Sequence, residues 1–185
     1  MAVDPLQTWK DELEALPPKA DPSWAPQFAK WYADRIVSIE TDPSALVASG
    51  FTFTFNEALF AAGLTVLPPT LDQASGILGF ATAWEAALLA SLVVVGPGSF
   101  IPPSTPATLF SVVITSLVDV PSISLGKLKL LELVTAPPTA DAQASEFPEK
   151  FRDATLLLTM TVTGTNSVVP PGGPNPLVAP LIPLT

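Results

Sequence analysis

Apolar residues near the N-terminus recur at helical spacing. Leu6, Trp9, Leu13 and Leu16 share one side of a 3.6-residue period, behind Asp4 as N-cap, Pro5 at the first helical position and Gln7 three residues past the cap. Pro17-Pro18 stops this helix. A second start at Asp21-Pro22-Ser23 leads into Trp24, Phe28, Trp31, Ile36 and Ile39, again one face, and such an aromatic stripe reads first as core. Phe51 to Phe55 alternate with period two, as a short strand with one buried face does; Thr54 with Glu57 also fits the cap of a short helix ending at Gly63.

The middle of the chain predicts longer helices. After Pro68-Pro69, Thr70 and Gln73 form a capping box, and no proline interrupts Leu71 to Val95. Such a helix is about 37 Å long, enough for a bilayer or for the centre of a bundle. Gly96-Pro97-Gly98 ends it. Thr105-Pro106 opens a further helix to about Val118, against which the β-branched run Val112 to Thr115 argues. Ser122 or Ser124 starts another to about Val134, with Leu125, Leu128, Leu131 and Glu132 at helical spacing. Asp141 or Ser145 starts the last, which runs toward Met160 and is expected to end near Thr161, although residues 159–163 alternate as a strand does.

Residues 164–185 carry six prolines and no charge, which predicts neither a helix nor a central strand. Their apolar content is unlike a disordered tail. An extended arm that docks on a neighbouring copy through Val168, Val169, Leu177, Val178, Leu181, Ile182 and Leu184 fits this pattern. An arm wrapped back over its own domain fits it equally. Pro-Pro pairs at Pro68, Pro102, Pro137 and Pro170 recur every 33 to 35 residues, but small and apolar residues do not align between the units. Helical hairpins with proline-rich connectors account for the spacing. The expected fold is therefore mainly α: a bundle of antiparallel hairpins in one domain over 1–163, with room for a short strand pair, and an extended C-terminal arm. Within it, 1–42 is a charged helical hairpin and 43–163 an apolar helical core.

Composition sharpens this picture. The 185 residues are 48% hydrophobic but only 14% charged, against about 25% in an average soluble domain. A folded monomer of this mass exposes roughly 8,500 Å², so the charges are a sparse coat for it. Burial between subunits or in lipid is the expected cover. The charges also lie in blocks: residues 43–126 hold no Lys or Arg and only Glu57, Asp72, Glu85 and Asp119, and none follows Asp153. A net charge of −9 argues against direct nucleic-acid binding. The N-terminal residues lack a basic stretch followed by an apolar one, so no secretion signal is expected.

No cysteine and no histidine occur, which removes thiol nucleophiles, Cys- and His-ligated metals and the commonest general base. Catalysis would fall to carboxylates, hydroxyls, lysine or Tyr32. Asp72 and Glu85 stand too far apart along one helix, near 20 Å, to act as a pair; only acids brought together from different helices would serve a hydrolase. Ser124 and Lys127 match a Ser-x-x-Lys spacing without its companion motifs. The glycine-rich stretches at 96–98 and 172–173 lack a phosphate-cradling Gly-Lys. No enzyme activity, cofactor or metal is expected. Glu85, the single charge of residues 74–95, must be paired, hydrogen-bonded or facing a wet channel. It either sits at the solvent edge of a bundle helix or rings an oligomeric lumen.

The order of charged N-terminal helices, Ala-rich low-charge middle and terminal Thr161-Val-Thr-Gly-Thr-Asn166 before Pro170-Pro-Gly-Gly-Pro174 resembles small virion structural proteins of tailed bacteriophages. That resemblance implies a non-enzymatic, multi-copy component of capsid, neck, tail or baseplate, assembled in the host cytoplasm and packed against copies of itself and other proteins of the particle. The alternative is a membrane-inserting or pore-forming protein using residues 74–95. Against it, no Lys or Arg lies between Arg35 and Lys127 to anchor a spanning helix.

Overall fold

The computed structural model describes residues 6–36, 38–39, 51–67, 73–95, 99–100, 110–113, 120–135, 140–166 and 175–182. The fold is mainly α. Among the described residues six α-helices form its body: α1 (Leu6–Glu14), α2 (Trp24–Arg35), α3 (Glu57–Thr65), α4 (Gln73–Leu89), α5 (Val120–Leu131) and α6 (Ala140–Leu156), with a 3-10 turn over Glu132–Thr135. Strands are short: β1 (Ser38–Ile39), β2 (Phe51–Thr54), β3 (Leu92–Val95), β4 (Ser99–Phe100), β5 (Phe110–Val113), β6 (Thr159–Asn166) and β7 (Asn175–Ile182). β2 and β3 pair antiparallel, Phe51 opposite Val95, and so close a β2-α3-α4-β3 unit. The other five make an antiparallel sheet in the order β1-β7-β6-β5-β4.

The two N-terminal helices form where their pattern predicts and are shorter than it. Asp4 and Pro5 lie outside the described residues. The Asp21 carboxylate accepts from the Ser23 backbone N–H and hydroxyl, which holds that carboxyl below its ordinary range and turns the chain into α2. α2 stops at Arg35, and Ile39 belongs to β1. Both readings of residues 51–63 hold in part. The strand ends at Thr54, while the cap of α3 is Asn56: its Oδ1 accepts from the Leu59 N–H at 3.0 Å and its Nδ2 donates to the Ala90 carbonyl at 3.3 Å. One side chain thus fastens the start of α3 to the end of α4.

Three segments differ from their predicted helices. Residues 74–95 divide into α4 and β3, because the run Val93-Val94-Val95 is β-branched and pairs with β2. β5 replaces helix in the 105–118 segment for the same reason, and α6 ends at Leu156, with β6 starting at Thr159. β7 is the largest departure, since the proline-rich end supplies an inner strand between β6 and β1. Pro176 and Pro180 lie an even number apart, so both remove donors from the same side of β7. Pairing with β1 begins only past them, at Leu181. Thr70, Asp72, Gly96 to Gly98, Thr105-Pro106 and the Pro-Pro pairs from Pro68 onward lie outside the described residues.

The core is aromatic. Phe151 stacks on Tyr32, Phe28 and Phe147 and meets Trp9 and Phe80 edge-on. Of the two apolar faces read from the sequence, Trp9, Phe28 and Ile36 are buried, and Leu13, Leu16, Trp24 and Trp31 pack partly buried against the core. On α5, however, Ile123, Gly126 and Leu130 are buried, whereas Leu125 and Leu128 point out. Gly126 decides this: a Cβ there would lie 2.5 Å from Trp84 Cη2, so only a glycine lets this side of α5 approach. Ser122 then ties α5 to β6, accepting from the Thr159 N–H and donating to its carbonyl.

Candidate functional site

Glu85 lies on α4 and faces Lys127 of α5, with Oε2 at 2.5 Å from Nζ. Their side chains are 27% and 25% exposed, so each keeps some water while the pair neutralises the one charge of the apolar helix. Glu85 thus finds its partner within its own chain, at the border of the body. The same contact engages the lysine of the Ser124-x-x-Lys spacing.

The two helices also turn apolar side chains outward. On α4, Leu78, Thr82, Glu85 and Leu89 follow one another at i, i+4, i+7 and i+11, a single helical face. On α5, Val120, Ser124 and Leu128 do the same, with Pro121 and Leu125 one residue further round. Leu78, Leu89, Val120, Leu125 and Leu128 are 49–61% exposed. α4 and α5 pack side by side; Leu78, Leu89 and Val120 share the helix faces that carry the ion pair, while Leu128 and Leu125 stand about 100° and 160° further round α5 from Lys127. The signal was present in the sequence, since both arcs of α5 are apolar. Periodicity alone took Leu125 and Leu128 for the inner one.

Of the predicted arm residues, Leu177, Val178, Leu181 and Ile182 lie on β7, whose backbone pairs with β6 and β1. Val168, Val169 and Leu184 lie outside the described residues. The segment from Asn175 to Ile182 is a strand of the chain's own sheet and not a detached arm.

Two adjoining hollows of about 150 and 170 Å³ share Lys19, Trp24 and Leu67. Phe80 and Phe147 floor the larger one. Each is smaller than the roughly 300 Å³ at which small-molecule pockets begin, and their polar groups, Lys19, Asp21 and Thr65, form no nucleophile and base pair. Among the described residues no cluster of three or more acids could hold a metal. Nor is any described helix long and apolar enough to cross a membrane.

Tyr32 is fully buried, and its hydroxyl belongs to a closed chain. Trp84 Nε1 donates to it at 2.7 Å, it lies 3.0 Å from Thr155 Oγ1, and Thr155 donates onward to the Phe151 carbonyl at 2.9 Å. Because an indole N–H only donates, the Tyr32 proton points to Thr155. Burial drives its pKa upward, well beyond the ordinary phenol, and the two hydrogen bonds only partly offset this. The phenol therefore joins α2, α4 and α6 and is not poised for chemistry. A raised folded-state pKa gives stability that is complete below about pH 10 and is lost as pH climbs above it. Tyr32 is the only tyrosine, so phenolate absorbance at 295 nm reports it alone. We expect no phenolate signal at pH 10.5 while helical circular dichroism persists, and its appearance together with unfolding; free titration near pH 10 in the folded chain would contradict the burial. Tyr32→Phe removes this alkaline loss but leaves the Trp84 N–H unpaired, costing about 1–3 kcal/mol near neutral pH.

No protein-family model matches the chain, and no curated protein and no solved structure matches it either.

Proposed function

We propose that this chain is a non-enzymatic structural subunit of a large assembly, of the kind that builds capsid, neck, tail or baseplate in tailed-phage particles, and that it packs against copies of itself and neighbouring proteins through the outward face of α4 and α5. The observation that carries this reading is the set of five exposed Leu and Val side chains on the two neighbouring helices α4 and α5. A large exposed apolar patch rimmed by polar groups marks an interaction surface. The sparse charge of the chain and the Thr161–Asn166 resemblance point the same way. Asn175 to Ile182 pair inside the chain's own sheet, and the helical face is the surface on which this reading rests.

The test is mass. Leu125→Glu together with Leu128→Glu places two carboxylates on exposed helix positions, where the fold itself has little to lose. Sedimentation velocity should show the assembly reduced to smaller species, with unchanged far-ultraviolet circular dichroism. An identical mass distribution for the double variant and the unaltered chain would refute the reading.

A further inference from the structure

α1 is held differently from the rest of the helical body. Of its nine residues only Trp9 is buried, and a helix this short does not persist alone in water. Its order comes from a socket on other elements. Trp9 lies edge-on to Trp31 of α2 at 5.3 Å and to Phe151 of α6 at 5.8 Å. Glu12 accepts from Trp31 Nε1 at 2.7 Å and pairs with the Arg35 guanidinium, itself 5.8 Å over the Trp31 ring. One flaw accompanies this fit, because the Trp9 indole N–H is buried with no hydrogen-bond acceptor among the described residues. Such an orphan weakens the docked state.

The tether suits separation. Ala15 N–H still bonds the Asp11 carbonyl and Leu16 N–H the Leu13 carbonyl, whereas Asp21 N–H bonds the Pro18 carbonyl and Trp24 N–H the Asp21 carbonyl, so the fold-back turn belongs to α2 and the hinge falls on residues 17–18. That hinge is Pro17-Pro18, which favours an extended course.

We propose that α1 is an exchangeable arm: it leaves its socket as a unit and seats Trp9 and Glu12 between Trp31, Arg35 and Phe151 of a second copy of this chain. The socket is already matched to that occupant in shape and charge, since the same surfaces meet within one chain, and the exchange makes no new kind of contact. It rests on the packing of α1 alone and is independent of the α4–α5 face.

A charge swap tests it. Glu12→Arg and Arg35→Glu are made in separate full-length chains, both also carrying Leu125→Glu and Leu128→Glu so that the helical face does not contribute. In either chain alone, like charges meet across its own socket. In the mixture, opposite charges meet only if the arms exchange. Native mass spectrometry after brief warming should then show a heterodimer at twice the 19.3 kDa chain mass, with a melting temperature above that of either parent. A mixture that is the sum of its parents in both measurements overturns the proposal. Hydrogen exchange on the unaltered chain supplies a second reading that needs no variant: amides of residues 6–14 should exchange at least tenfold faster than those of α2 and α6, and equal protection of the three helices overturns it too. Failure of the assembly reading shows only in the mass of the face variant, so the two are told apart.

Discussion

Phe151→Ala is expected to cost about 3–5 kcal/mol, a large part of the roughly 5–15 kcal/mol that holds a domain folded. Phe151 is fully buried on α6. Its ring lies 4.6 Å from Tyr32 and 5.2 Å from Phe80, centroid to centroid, and it also meets Trp9, Phe28, Trp31, Trp84 and Phe147. Those neighbours come from α1, α2, α4 and α6, so no single helix can shift to fill the space without opening another contact. Rigid rings also collapse poorly around a void, which places the loss toward the upper end. For a chain of this length each kcal/mol moves the melting temperature by about 2–4 °C, so a drop of roughly 6–20 °C follows. Denaturant unfolding followed by circular dichroism checks it, with a lower midpoint at unchanged slope as the expected form. A midpoint within error of the unaltered chain would show that the cluster is not the core.

Legibility in the sequence followed charge contrast. In residues 6–36, Lys10, Glu12, Lys30, Asp34 and Arg35 interrupt the apolar positions, so Trp9 on the first helix and Phe28 and Ile36 on the second stand out from the charged arcs, and all three are buried. From Leu92 to Val113 no charge marks an outside, and helix and strand cannot be separated by period. The informative signal there was side-chain shape: Val93, Val94, Val95, Val112 and Val113 are β-branched and form strands. β7 was illegible for another reason. Whether a proline breaks a strand depends on which neighbour its missing N–H would face, and that is fixed by a partner strand distant in sequence. The same holds at the candidate site. Glu85 was recognisable as a charge in need of a partner, whereas Lys127 stands 42 positions away on another helix and was visible only as part of an unrelated spacing. The Tyr32–Thr155 link spans 123 positions, beyond any local pattern.

Helical glycines offer a sharper expectation, because two of them should respond with opposite signs. Gly76 in α4 has nothing within 4 Å of the point where a Cβ would stand, so Gly76→Ala gains helix propensity and stabilises by about 0.5–1 kcal/mol. Gly126 in α5 has the Trp84 ring at 2.5 Å and the Ala154 carbonyl oxygen at 2.9 Å from that point. The ring is fixed by its hydrogen bond to Tyr32, and the oxygen belongs to the backbone of α6, so neither yields cheaply. Gly126→Val must therefore push α5 off α4 and α6. Overpacking of this kind costs about 1–3 kcal/mol and more where backbone has to move, against a propensity gain of only a few tenths for valine over glycine. The steric term wins, with a net loss of about 3 kcal/mol. The displacement also reaches the surface. Glu85 and Lys127 bridge the same two helices one residue from Gly126, and Leu125 and Leu128 flank it, so moving α5 distorts the outward face together with the core. Thermal melts of the two glycine variants check the signs, and sedimentation of Gly126→Val below its melting temperature checks the coupling. A Gly126→Val chain as stable as the unaltered one would mean that α5 does not seat its Gly126 side against Trp84, and the outward position of Leu125 and Leu128 would lose its physical basis.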